Sequence, residues 1–126
     1  MSIGIGRIKR QFGGRGMFSI VKVEATTPAA YGVTITIDPA VTNAQDGPQY
    51  VPAVTAGIRY AWEKLNPYKR GDGVVVKVLE ITPLVTDTTE ITMLYAAALA
   101  TWDALQLQPE QPIVLDPERR SINFPV

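Results

Sequence analysis

The spacing of apolar residues divides the chain into short blocks of two different periods. Residues 17–24 alternate, with Phe18, Ile20 and Lys22 on one side and Val21 and Val23 on the other. Alternation in a stretch rich in β-branched side chains predicts a strand with one face on a core. Val33, Thr34, Ile35, Thr36 and Ile37 alternate in the same way until Asp38-Pro39 stops them. The turn residues between them, at 26–32 and including Pro28 and Gly32, predict an antiparallel hairpin joining the two strands. Residues 41–49, with Asn43, Asp46, Gly47 and Pro48, predict a loop.

The period then lengthens. Val54, Ile58, Ala61 and Leu65 fall at helical spacing and predict a helix over 50–65, with Pro52 in its first turn and Asn66-Pro67 at its end. Gly57 inside that helix costs roughly 1 kcal/mol against alanine, which makes sense if the backbone there approaches a sheet closely. After a polar turn at 69–73, residues 74–82 alternate again, Val74, Val76, Val78 and Glu80 opposing Val75, Lys77, Leu79 and Ile81. This predicts a central strand. Asp87-Thr88-Thr89-Glu90 has the form of a capping box with Asp87 as the cap. Ile91, Leu94, Ala98, Trp102 and Leu105 then mark one face of a second helix, kept narrow by its many alanines. A proline-bounded connector leads to two short strand candidates at 113–115 and 121–124. The order strand, strand, helix, strand, helix, strand describes an α+β two-layer sandwich, a mixed four-stranded sheet with two helices on one face.

At 126 residues the chain is long enough for one domain with its own core and too short for two ordinary ones. The absence of cysteine excludes disulfides, thiol nucleophiles and thiolate metal sites, and fits a reducing, cytoplasmic setting. The absence of histidine removes the usual catalytic triads, imidazole ligands and the common acid–base group near neutral pH. No apolar run is long enough to span a membrane, and the start of the chain lacks the apolar stretch of a signal peptide. No cofactor, metal or catalytic residue is expected.

Charge changes the picture more. Twelve basic and twelve acidic residues balance, but residues 1–23 hold Arg7, Lys9, Arg10, Arg15 and Lys22 with no acidic residue. The remainder carries the matching negative excess. The same segment contains Gly4, Gly6, Gly13, Gly14 and Gly16, so residues 4–16 read as an irregular or hairpin-like loop and residues 1–16 as a basic, glycine-rich extension of a 17–126 core. It has neither the Gly-Lys-Ser/Thr ending of a Walker A loop nor the preceding strand of a dinucleotide fingerprint. Its arginines suit bidentate contact with phosphates. The plainer alternative is a tight hairpin entry with scattered surface arginines. Lys77 reads as a residue of the open sheet face, and Asp46 and Asp72 as turn formers.

Five blocks in order carry a resemblance. The segment from Ile8 to Phe18, with Lys9-Arg10-Gln11-Phe12-Gly13-Gly14-Arg15-Gly16 at its centre, resembles the opening of domain IV of bacterial elongation factor G, which has Lys-x-Gln-x-Gly-Gly-x-Gly. Tyr50-Val51-Pro52-Ala53-Val54-Thr55-Ala56-Gly57-Ile58 is similar to that domain's first helix. The 74–81 strand, Asp87-Thr88-Thr89-Glu90 and Pro112-Ile113-Val114-Leu115-Asp116-Pro117 are similar to three further segments in the same order.

The resemblance implies a left-handed βαβ fold. It also implies a tip at which Gln11, Gly13, Gly14, Arg15 and Gly16 meet a second loop of Leu84, Val85, Thr86 and Asp87 and enter the ribosomal decoding region. Arg7, Lys9, Arg10 and Arg15 would contact ribosomal or other structured RNA, with a GTPase partner encoded elsewhere, since this chain holds no GTPase segment. Two departures stand out: residues 82–86 lack the family's glycine and histidine, and its Gly-Gly before the first helix is missing. The alternative expectation is a protein-interaction or homo-oligomeric assembly module built on an edge strand and the aromatic residues.

Overall fold

A computed structural model describes residues 2–12, 15–27, 31–84, 86–116, 119 and 121–125. The main chain forms β1 (Ser2–Phe12), β2 (Arg15–Thr26), β3 (Gly32–Ile37), α1 (Pro39–Thr42), α2 (Val51–Glu63), α3 (Pro67–Arg70), β4 (Gly73–Pro83), α4 (Glu90–Leu105), β5 (Val114–Asp116) and β6 (Ser121–Asn123). Four strands make one mixed sheet in the order β1-β2-β4-β3. The long helices α2 and α4 cover one of its faces, giving the expected two-layer α+β sandwich. Among the described residues no helix is long and apolar enough to cross a membrane.

The glycine-rich start is not a loop. Ser2 to Phe12 is a regular edge strand, paired antiparallel with β2 from Ser2 opposite Ala25 to Phe12 opposite Arg15. Its buried face is Gly4, Gly6 and Ile8, so glycines occupy the alternate positions where apolar side chains usually announce a strand. The cause is α4. A Cβ on Gly6 would run into the backbone carbonyl of Ala96 and lie 2.5 Å from the nitrogen of Ala100, and one on Gly4 would lie 2.7 Å from the Cβ of Ala104. The alanines of the helix and the glycines of the strand let two backbones meet, with Ala96, Ala97, Ala100 and Ala104 all buried in the core.

The predicted hairpin between 17–24 and 33–37 is also corrected. β2 and β3 are not neighbours: β4 lies between them, antiparallel to β2 and parallel to β3. A parallel neighbour needs a long crossover, and α2 supplies it. Alternation shows which face of a strand is buried but not which strand lies beside it. Residues 28–30 of the expected turn lie outside the described residues.

β4 departs from strict alternation as well. Lys22 pairs with Glu80 but Val23 pairs with Val78, leaving Leu79 as the extra residue of a bulge. The bulge returns Ile81 to the face of Val74, Val76 and Val78, and all four are buried, whereas Glu80 is exposed.

The 50–65 helix is observed as α2, preceded by a 3-10 turn at Pro48–Tyr50, and Val54, Ile58, Ala61, Trp62 and Leu65 are buried. Gly57 faces α4 rather than the sheet: a Cβ there would lie 2.8 Å from that of Ala97. The buried surface of α4 is Thr92, Met93, Ala96, Ala97, Ala98, Ala100, Thr101, Trp102 and Ala104, and Ile91 is 49% exposed. Of the predicted face, Ala98 and Trp102 are buried, Leu94 and Leu105 are partly buried and only Ile91 lies outside; the buried surface is wider than one stripe because α4 is wedged between β1, β2 and α2 and is covered on two sides. Its cap is Thr89, whose side chain accepts from Thr92 N while Thr92 reaches back to Thr89 N. Asp87 is not the cap.

The predicted loop at 41–49 begins inside α1, capped by Asp38, and the polar turn at 69–73 overlaps α3, capped by Asn66. The last strand candidates form a separate two-stranded hairpin rather than a fourth strand of the main sheet. It is held to α2 through Tyr60, whose hydroxyl donates to Pro125 O at 2.8 Å and whose ring meets Phe124 edge-on at 5.5 Å.

Candidate nucleic-acid interface

Alternation along β1 sorts the predicted basic residues onto two faces. Arg7, Lys9 and Gln11 share the face turned away from the helices, and all three are exposed. Arg10 follows Gly4, Gly6 and Ile8 on the helix side, where its charge is felt by Tyr95 of α4. Burial pushes the Tyr95 phenol up, and the guanidinium of Arg10 pulls it partly back. Gly13, Gly14 and Val85 lie outside the described residues. Of Arg15 only the backbone is described, paired with Phe12.

The second predicted loop folds against the same end of the hairpin. Beyond Pro83, which pairs with Ser19, the chain bends so that Asp87 N and Thr88 N both donate to Leu84 O at 2.9 Å. Phe18 N then donates to Asp87 O at 3.0 Å, and the Thr88 hydroxyl donates to Phe18 O. The same hydroxyl oxygen accepts from Leu84 N at 2.8 Å. The Asp87 carboxylate rests against Gly16, where a Cβ would sit 2.6 Å from its Cγ. Two segments some seventy residues apart are thus stitched into one end of the molecule. A depression of about 440 Å³ opens there, lined by Lys9, Arg10, Gln11, Met17, Phe18, Leu84 and Asp87. Thr86 is exposed.

Thr88 is the residue the sequence reading missed. It appeared only as the interior of a capping box, yet its hydroxyl joins the loop to β2. Beneath it, Ser19 Oγ donates to Thr92 Oγ1 at 2.9 Å in a fully buried contact, tying β2 to the first turn of α4.

Register explains why positive charge collects on β1 rather than across the open face. Lys22 stands opposite Glu80, Glu24 stands opposite Lys77, and Lys77 Nζ lies 3.4 Å from Asp38 Oδ2. Lys77 therefore belongs to the open face, as expected, and its charge is matched. Arg7 faces Ile20 and Lys9 faces Phe18. Among the described residues no ion pair involves Arg7, Lys9 or Arg10.

No protein-family model matches the chain, and no curated protein matches it. Among solved structures it is similar to the crystal structure of a protein from Thermus thermophilus, with a TM-score of 0.65 and 24% identity. The match covers 83% of this chain and 16% of that one, so this chain spans only about a sixth of that protein's length. The likeness shows the fold.

Proposed function

We propose that this chain is a non-enzymatic module, similar to domain IV of elongation factor G, that contacts ribosomal or another structured RNA through the closed end of the β1–β2 hairpin. One observation carries the reading: Arg7, Lys9 and Arg10 stand exposed and without acidic partners among the described residues, on the strand paired with β2, to whose end the Leu84–Asp87 loop is joined. Cations in this setting gain by neutralising phosphates and releasing counterions, which gives affinity with little sequence preference. Because Arg7 and Lys9 project from one face and Arg10 from the other, the hairpin would enter a groove rather than lie flat on a surface. The collinear sequence blocks support the family assignment, and a cytoplasmic role beside a separately encoded GTPase follows from it.

The test is binding to small ribosomal subunits and to a structured ribosomal RNA fragment across a salt series. The triple variant Arg7→Gln, Lys9→Gln, Arg10→Gln should lose at least tenfold in affinity at low salt and show a shallower salt dependence. Unchanged binding by that variant would remove the basis of the proposal.

A further inference from the structure

β1 is an edge strand, so half of its backbone groups have no partner within the sheet. The hydrogen bond from Ile5 N to Asp103 Oδ2, 3.0 Å long, shows which half. Ile5 directs its N–H away from β2, and by the two-residue repeat of an antiparallel ladder Arg7, Lys9 and Gln11 do the same. Asp103, reaching from the last turns of α4, takes the outward donor at Ile5 and ends the free edge there. From Arg7 to Gln11, among the described residues, no other element supplies a partner for this edge.

We infer that Arg7–Gln11 is a docking edge for an extended acidic segment of a partner protein, which adds to the sheet as a strand beside β1. Strand addition draws affinity from main-chain hydrogen bonds and selectivity from alternate side chains. Here the flanking side chains are Arg7 and Lys9 on the open face and Arg10 on the helix face, so a carboxylate-bearing strand is complementary on both faces. A second copy of this chain is disfavoured, because pairing two β1 edges sets Arg7 and Lys9 of one against the same cations of the other. The inference uses the backbone of β1, which the RNA proposal does not, and it stands or falls separately. The two ligands would compete for Arg7 and Lys9.

The experiment is amide hydrogen exchange by NMR on the full chain, with an octapeptide of alternating threonine and glutamate as the probe. In the free protein the amides of Arg7, Lys9 and Gln11 should exchange fast, and those of Gly6, Ile8 and Arg10 slowly. With saturating peptide the three outward amides should slow at least tenfold. A peptide of the same charge interrupted by proline should leave them unchanged. Gln11→Pro deletes one outward N–H without altering charge, and proline is tolerated where an edge strand's N–H faces solvent. This variant should bind the octapeptide at least threefold more weakly while Gly6 and Ile8 keep their protection. Peptide binding that leaves the exchange of Arg7, Lys9 and Gln11 unaltered, or no binding at millimolar peptide, overturns the inference.

Discussion

The carboxylate of Asp87 fills the space that a Cβ on Gly16 would need, with its Cγ 2.6 Å from that position. This contact, with the bond from Phe18 N to Asp87 O, fastens the Leu84–Asp87 loop to the β1–β2 hairpin. Gly16→Ala should force the carboxylate aside and cost about 1 kcal/mol, within the range for overpacking. Asp87→Ala in the same chain should recover most of that loss in urea unfolding. Gly6→Ala behaves differently, since the obstruction is the backbone of α4 and cannot swing away. It should cost about 3 kcal/mol, and no single side-chain truncation should restore it.

Asp103 guards the start of the β1 edge. Ile3 and Ile5 are 54% and 40% exposed, so this part of the strand is apolar, and its outward edge has no partner strand in the sheet. Asp103→Ala should reduce stability by about 1 kcal/mol and produce self-association that grows with protein concentration in sedimentation experiments. Asp103→Asn keeps an acceptor oxygen and should remain closer to the parent protein.

Thr92 is the junction of a buried hydroxyl network. It accepts from Ser19 Oγ and Thr89 N and donates to Thr89 O, each at 2.9 Å. Thr92→Val removes all three bonds and strands the buried Ser19 hydroxyl, so a loss of about 2–3 kcal/mol is expected. Ser19→Ala removes one and should cost about 1 kcal/mol. The double variant should be less destabilised than the sum, because without Thr92 the Ser19 hydroxyl has no partner left to lose.

Acid should weaken the contact between β4 and the segment after β3. The amide of Ala40, donating to the Asp38 carboxylate, and then the nearby Lys77 hold that carboxyl below its ordinary value of 3.8. A carboxyl lowered on folding adds stability that is fully present above its unfolded value and is lost as pH falls through the lower folded one. Asp38→Asn should therefore be less stable than the parent at neutral pH, and the gap should close below about pH 3.8 in acid unfolding curves.

Much of the fold was legible because its periods are local. The two long helices, the strand at 74–82 and the buried run Val54, Ile58, Ala61 and Leu65 were all readable from spacing. β1 was not, because its buried face is written in glycines, and glycine spacing has meaning only once the alanines of α4 are known to lie against it. The candidate site was legible as residue types in two segments, with Arg7, Lys9 and Arg10 in one and Asp87 in the other. Thr88 escaped notice, since a hydroxyl that bonds to Phe18 O some seventy residues away leaves no periodic trace.

The sequence by itself determined the class of the domain, the sides of α2 and β3 that meet a core, and the concentration of positive charge near the start. Side-chain chemistry and period act over a few residues, and they are complete in the chain before it folds. Only the tertiary structure decided strand order, the bulge that turns Ile81 inward, and how much of the surface of α4 is buried. These depend on which surfaces compete for the same apolar area. Tertiary structure also placed Arg7 and Lys9 on one face and Arg10 on the other, and matched the charges of Lys22 and Lys77 while leaving the edge cations free. What began as a basic, glycine-rich stretch became an ordered edge strand because α4 comes close enough to require glycine.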